Sequence, residues 1–156
     1  MNLRFTVDGV PTTVVIAAGE SLMDVLRRIG KTSVKNGCDR GDCGSCAVLV
    51  DGRAVNACLV FAGQVDGTAV GTAEGLAHDG ELHPLQSAAV EGGAVQCGFC
   101  TPGMLMLAVD LLSRNPEPDE AEVRSALSGS FCRCTGYVKP IEAILAAAGT
   151  LLERRS

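Results

Sequence analysis

The stretch Gln-Cys-Gly-Phe-Cys-Thr-Pro-Gly at residues 96–103 restricts what this chain can fold into more than any other part of it. Gly98 lets the backbone turn back so that Cys97 and Cys100 face a common centre, and Gly103 allows close backbone approach. Thr101 followed by Pro102 reads as an N-cap and a first helical residue, because a hydroxyl can accept an orphan amide and proline has no donor to lose there. The loop therefore ends on a helix N-terminus, whose partial positive charge favours an anionic metal-thiolate centre. Cys132-Arg133-Cys134, again just ahead of a helical pattern, completes a set of four thiols. Pairs of this kind also serve as structural zinc sites or disulfides, so on their own they do not separate zinc from iron-sulfur.

The other half of the chain is more specific. Cys38, Cys43 and Cys46 have the spacing C-x4-C-x2-C, followed by Cys58, which is the plant-type ferredoxin arrangement for a 2Fe-2S cluster. Three thiols come from one loop, and Gly37, Gly41 and Gly44 are expected to let backbone amides approach the sulfurs without Cβ clashes. The fourth, Cys58, is expected on a rigid strand. Neither zinc nor a disulfide needs so glycine-rich a loop. Asp39 and Asp42 read as solvated loop acids.

Eight cysteines in 156 residues would suit a small secreted disulfide scaffold, but the 47% hydrophobic content is enough to build a core without staples. The N-terminus lacks a basic region followed by an apolar run, so no secretory signal is read and the expected compartment is the reducing cytoplasm. A net charge of −5 with no basic stripe, and an aromatic content of 3%, argue against nucleic acid as a partner. No apolar run has the length of a membrane span. Arg27-Arg28 falls inside a helical pattern and is discounted as a twin-arginine signal.

Along the chain, Leu3, Phe5 and Val7 alternate with polar residues, Asp8-Gly9 marks a turn, and Thr12 to Ala17 returns as a β-hairpin partner. Ser21 then caps an amphipathic helix carrying Leu22, Val25, Leu26 and Ile29, closed by Gly30. Ala47 to Val50 and Arg53 to Val60 read as a second hairpin, and Val65 to Val70 as one more short strand. Gly71 to Gly80 reads as a linker. Beyond it, helices are expected over Pro84 to Val90, Pro102 to Ser113, Asp119 to Leu127 with a capping box through Glu122, and Pro140 to Leu152. The stripes Met104, Leu105, Ala108, Leu111, Leu112 and Ile141, Ile144, Leu145, Ala148 read as core. Four short helices imply a compact bundle. The fold class is thus α+β.

A plant-type cluster motif on a small sheet, followed by a helical half bearing Gln-Cys-Gly-Phe-Cys-Thr-Pro-Gly and then Phe-Cys-Arg-Cys-Thr-Gly-Tyr, closely resembles the small iron-sulfur subunit of the molybdenum hydroxylases. That family includes xanthine dehydrogenases, aldehyde oxidoreductases and carbon monoxide dehydrogenases. The resemblance spans essentially the whole chain. It implies a β-grasp ferredoxin-like domain over residues 1–75 and a four-helix-bundle domain over residues 80–156, each with one 2Fe-2S cluster. By motif position, Cys38, Cys43, Cys46 and Cys58 would hold the first cluster and Cys97, Cys100, Cys132 and Cys134 the second. Gln96 and Cys134 occupy the positions that touch the molybdopterin cofactor in relatives; without that context Gln96 reads as an ordinary helix-end polar residue.

The resemblance further implies a large molybdopterin-binding partner subunit and a medium subunit that binds FAD, those domains being expected on other chains. The expected role is electron relay from molybdenum through two one-electron centres to FAD or another acceptor, with no bond chemistry on this chain. Two other readings accompany it: a free-standing ferredoxin, which accounts for the first half alone, and a zinc-stabilised adaptor.

Overall fold

The computed structural model describes residues 1–154; residues 155 and 156, which close the expected second domain, lie outside the described residues. The first half is built on a sheet. β1 (Asn2–Val7) and β2 (Val10–Val15) form the expected hairpin, with Leu3 opposite Val14 and Phe5 opposite Thr12. The alternation in β1 buries Leu3, Phe5 and Val7 on one face, as a half-buried strand requires. β3 (Ala47–Val50) and β4 (Arg53–Asn56) make a second antiparallel hairpin, and β5 (Ala69–Gly71) joins the two, parallel to β1 and antiparallel to β3. The strand order is β2-β1-β5-β3-β4.

Helix α1 (Leu22–Arg28) begins where Ser21 Oγ accepts the Asp24 amide, and it buries Leu22, Met23, Val25 and Leu26 against the sheet. Gly30 follows at φ +94°, the left-handed conformation that ends a helix at little cost for glycine. Both arginines of α1 are used locally: Arg27 donates to the Val34 carbonyl, and Arg28 to Glu20 and the Val15 carbonyl.

The second half contains α2 (Pro84–Glu91), α3 (Thr101–Arg114), α4 (Glu120–Leu127) and α5 (Val138–Glu153). Leu85, Met104, Ala108, Leu111, Leu112, Val123, Leu127, Ile141, Ile144 and Ala148 share one apolar core, so the stripes read from the sequence do face inward. Asp119 and Glu122 close the expected capping box on α4.

Four local expectations change. The span expected as a strand from Val65 to Val70 shortens to Ala69–Gly71, because residues 62–65 wind into a 3-10 turn. β4 stops at Asn56, and Cys58 lies on a 3-10 turn over Ala57–Leu59 instead of on a strand. Thr101 does not cap α3: Cys100 is the N-cap residue and Thr101 is already helical.

The stretch 71–80 is no free linker either. Thr72 and Ala73 are buried, and Asp8 accepts both the Thr72 amide (2.7 Å) and its hydroxyl (2.8 Å) while pairing with Lys31 (2.7 Å). The two halves also share a seam. Met106 of α3 is buried with Ala47 and Ala73, and Arg53 of β4 pairs with Asp110 of α3 at 3.1 Å.

Candidate metal centres

The first thiol loop leaves α1 and winds without regular structure from Gly37 to Cys46. Asp39, Gly41 and Gly44 take positive φ (57°, 89° and 68°), which coils the backbone around its own sulfurs. The amide of Cys43 donates to Cys38 Sγ at 3.4 Å. Hydrogen bonds from the Arg40 amide, then the Cys43 amide, bring the Cys38 thiol down to about 7. Cys46 is buried beneath the loop; burial, with Cys58 as hydrogen-bonded neighbour, pushes it up to about 12. The turn over Ala57–Leu59 thus delivers Cys58 to Cys46 as well as a strand would.

Only one glycine of this loop has the duty expected of all three, since Gly41 faces the Leu59 side chain and Gly44 faces backbone. A Cβ on Gly37 would lie 2.8 Å from Cys43 Sγ, so that position does clear a sulfur. At Gly44 the obstacle is not a sulfur: a Cβ there would lie 2.2 Å from the Gly129 carbonyl oxygen, in the other half of the chain.

The second set sits between helices. Cys97 follows α2, Gly98 turns the chain at φ +79°, and Cys100 occupies the N-cap of α3, where unpaired helix amides and the dipole favour a thiolate. Cys132 and Cys134 come from the loop before α5, where Gly136 and Tyr137 take left-handed φ values of 64° and 68°. The Tyr137 hydroxyl accepts the Cys132 amide at 2.9 Å, and Thr135 Oγ1 accepts the Tyr137 amide at 3.2 Å. The same Thr135 hydroxyl lies 3.1 Å from Cys132 Sγ.

Burial alone would raise Cys132, but the hydroxyl and amide of Thr135 outweigh it and bring the thiol down to about 7. Cys100 is pushed up to about 12 by burial and by its neighbour Cys132. Cys134 is raised chiefly by its hydrogen bond with Cys97. Cys97, Cys134 and Gln96 are all exposed.

The thiols therefore meet two by two: Cys38 with Cys43, Cys46 with Cys58, Cys97 with Cys134, and Cys100 with Cys132. Among the described residues no three His, Cys, Asp or Glu side chains converge on a point for a single ion. Four thiols in two adjacent pairs fit a two-iron centre, in which each iron takes two thiolates. Sequence reasoning missed Thr135 and Tyr137 as supports of Cys132. The signal was present: the only tyrosine of the chain directly follows Gly136, in a run where an αL turn brings its ring back over the loop.

The chain resembles known proteins over its whole length. Residues 5–75 match the family model of a 2Fe-2S iron-sulfur cluster binding domain, and residues 72–145 that of a 2Fe-2S binding domain. The nicotine 6-hydroxylase small subunit of Paenarthrobacter nicotinovorans is 50% identical over 97% of this chain and 92% of its own. The nicotinate dehydrogenase small FeS subunit of Eubacterium barkeri is 44% identical over 89% of each. Among solved structures, quinoline 2-oxidoreductase from Pseudomonas putida 86 superposes with a TM-score of 0.94 at 41% identity, over 98% of this chain and 96% of that one. With two cluster-binding halves in the same order and relatives matched end to end, the chain belongs to the small iron-sulfur subunits of the molybdenum hydroxylase family, the electron-transfer components of these oxidoreductases.

Proposed function

We propose that Cys38, Cys43, Cys46 and Cys58 hold one 2Fe-2S cluster and that Cys97, Cys100, Cys132 and Cys134 hold a second. Each iron takes one of the four observed thiol pairs, and that pairing is the observation that carries the assignment. When bound, each cluster takes up and releases one electron. The chain's part is to supply the thiols in pairs, direct amides at the sulfurs and hold the two sets at a constant separation. The first set and its sheet, residues 1–75, form a β-grasp ferredoxin-like domain, and the second set sits on a four-helix bundle over residues 80–156.

The exposed end of the second set, Gln96, Cys97 and Cys134, faces a large molybdopterin-binding subunit, with Gln96 and Cys134 touching the pterin. Exposed Val95, Phe99 and Phe131 lie beside these positions in sequence and support a covered face. A molybdopterin cofactor held against Gln96 and Cys134 would supply electrons to the second set, and the first set would pass them toward FAD on a medium subunit. A free-standing carrier would have no need of such a face.

The test is iron, acid-labile sulfide and zinc analysis of the chain purified with its partner subunits, with low-temperature EPR during stepwise reduction. Four irons per chain and two distinct 2Fe-2S signals are expected. Two irons and one signal in a monomer would favour a lone ferredoxin, and zinc without sulfide would overturn both. Cys58→Ser should slow electron delivery to the acceptor while substrate still reduces molybdenum at the normal rate.

A further inference from the structure

Cys132, Thr135 and Tyr137 close a ring of hydrogen bonds in the loop before α5. The Thr135 amide donates to Cys132 Sγ at 3.4 Å, and the Thr135 hydroxyl lies 3.1 Å from the same sulfur. That hydroxyl oxygen accepts the Tyr137 amide at 3.2 Å, and the Tyr137 hydroxyl accepts the Cys132 amide at 2.9 Å. An iron-bound thiolate has no proton, so in the 3.1 Å contact the donor is then the hydroxyl. The Tyr137 amide already occupies its oxygen, which leaves the single hydroxyl hydrogen to point at the sulfur. Tyr137 sits at φ 68°, an outlier for a bulky residue that its surroundings have to enforce. Its side chain supplies the enforcement: it packs against the apolar core of the helices while its hydroxyl holds the Cys132 amide. In the first set, by contrast, Cys38 draws on the amides of Arg40 and Cys43.

Resting on the two-cluster reading above, we propose that Thr135 is a positioning residue whose hydroxyl sets the reduction midpoint of the second centre, with Tyr137 holding that hydroxyl on the Cys132 sulfur. Reduction adds one electron and no proton, so negative charge on the sulfurs grows. A donor on a ligand sulfur stabilises the reduced form more than the oxidised one, and the midpoint rises. The hydroxyl keeps its proton throughout. A Thr135 that only shaped the loop would act through its bulk and its amide, both of which valine reproduces.

The test is an EPR-monitored redox titration of the complete enzyme complex, with dithionite as reductant, in unmodified, Thr135→Val and Thr135→Ser forms. Iron and sulfide content and the two EPR signals of the unmodified complex report on the two-cluster reading, and Cys58→Ser marks which signal belongs to the first centre. The midpoints report on Thr135. Thr135→Val should lower the midpoint of the second centre and leave that of the first where it was, and Thr135→Ser, which restores the hydroxyl, should recover most of the difference. Unchanged midpoints in Thr135→Val, an equal shift in both centres, or a Thr135→Ser midpoint as low as that of Thr135→Val would overturn the proposal. Should Thr135→Val fail to load its second centre, the unmodified complex decides by electron-nuclear double resonance after rapid mixing with deuterated water. A hydroxyl exchanges its hydrogen far faster than a hydrogen-bonded amide, so a coupled deuteron should enter the second centre's signal within seconds. Its absence refutes the hydroxyl contact.

Discussion

Asp110 carries the ion pair that ties the two halves together, and its removal has a cost that can be worked out. Its carboxylate, with a side chain 11% exposed, receives Arg114 through Nε (3.2 Å) and Nη2 (3.0 Å) from its own helix and Arg53 Nε (3.1 Å) from β4. Breaking a fully buried pair typically costs about 3–5 kcal/mol, because the abandoned charge cannot reach water. Here the partners can: Arg53 is 67% exposed and Arg114 48% exposed. Asp110→Ala should therefore cost about 2 kcal/mol, the scale of lost charged hydrogen bonds without a stranded ion. At about 2–4 °C per kcal/mol for a chain of this length, the midpoint of thermal unfolding should fall by about 4–8 °C.

Arg53→Ala alone should cost about 1 kcal/mol or less, as expected for so exposed a partner. The double variant should recover most of that as a coupling energy. The measurement is anaerobic thermal or urea unfolding of the cluster-loaded full chain for the four members of the cycle. A coupling of zero would show that this pair does not hold the halves together. A cost for Arg53→Ala equal to that of Asp110→Ala would refute the argument from solvent exposure.

Gly44→Ala and Gly52→Ala form a matched pair, since φ is +68° at the first and +80° at the second, but only Gly44 faces backbone within 4 Å. Both should lose about 1 kcal/mol to backbone strain. Gly44→Ala should melt lower still and bind less iron, and equal melting curves would deny the contact between the loops. Asp119→Ala should cost about 1 kcal/mol in urea unfolding by removing the cap that accepts the Glu122 amide.

His83 caps α2 by accepting the Leu85 amide on Nδ1 at 3.2 Å, and burial, then the charge of Arg154, holds its pKa below 6.5. The folded state therefore prefers the neutral ring. Its stabilisation is present above 6.5 and lost as the pH falls through the lower folded value, because the unfolded chain binds the proton first. Unfolding midpoints measured from pH 7.5 to 5.0 should accordingly fall more steeply for the unaltered chain than for His83→Asn, whose amide can cap without titrating; parallel curves would exclude this role.

Much of the molecule was legible in the residues because the relevant physics is local. Alternation in Leu3, Phe5 and Val7, the cap at Ser21, the capping box at Asp119 and the stripe on α3 depend on neighbours a few positions away, and each appears where its pattern places it. The C-x4-C-x2-C spacing and the two later cysteine pairs likewise identified the candidate ligands, since a loop that must wrap a small centre restricts spacing more than tertiary packing does. Local pattern misjudged Cys58, whose strand ends early in a 3-10 turn, and Thr101, displaced from the N-cap by Cys100.

The thiol pairing and the seam depend on more than local pattern. Gly44 meets Gly129, Gly103 meets Gly44, Cys43 accepts from Phe131, and Arg53 reaches Asp110, all across separations in sequence that no periodicity encodes. A glycine chosen for close approach looks, in sequence, like a glycine chosen for a turn. Only the three-dimensional packing tells them apart, because the atom that excludes a Cβ belongs to a distant part of the chain.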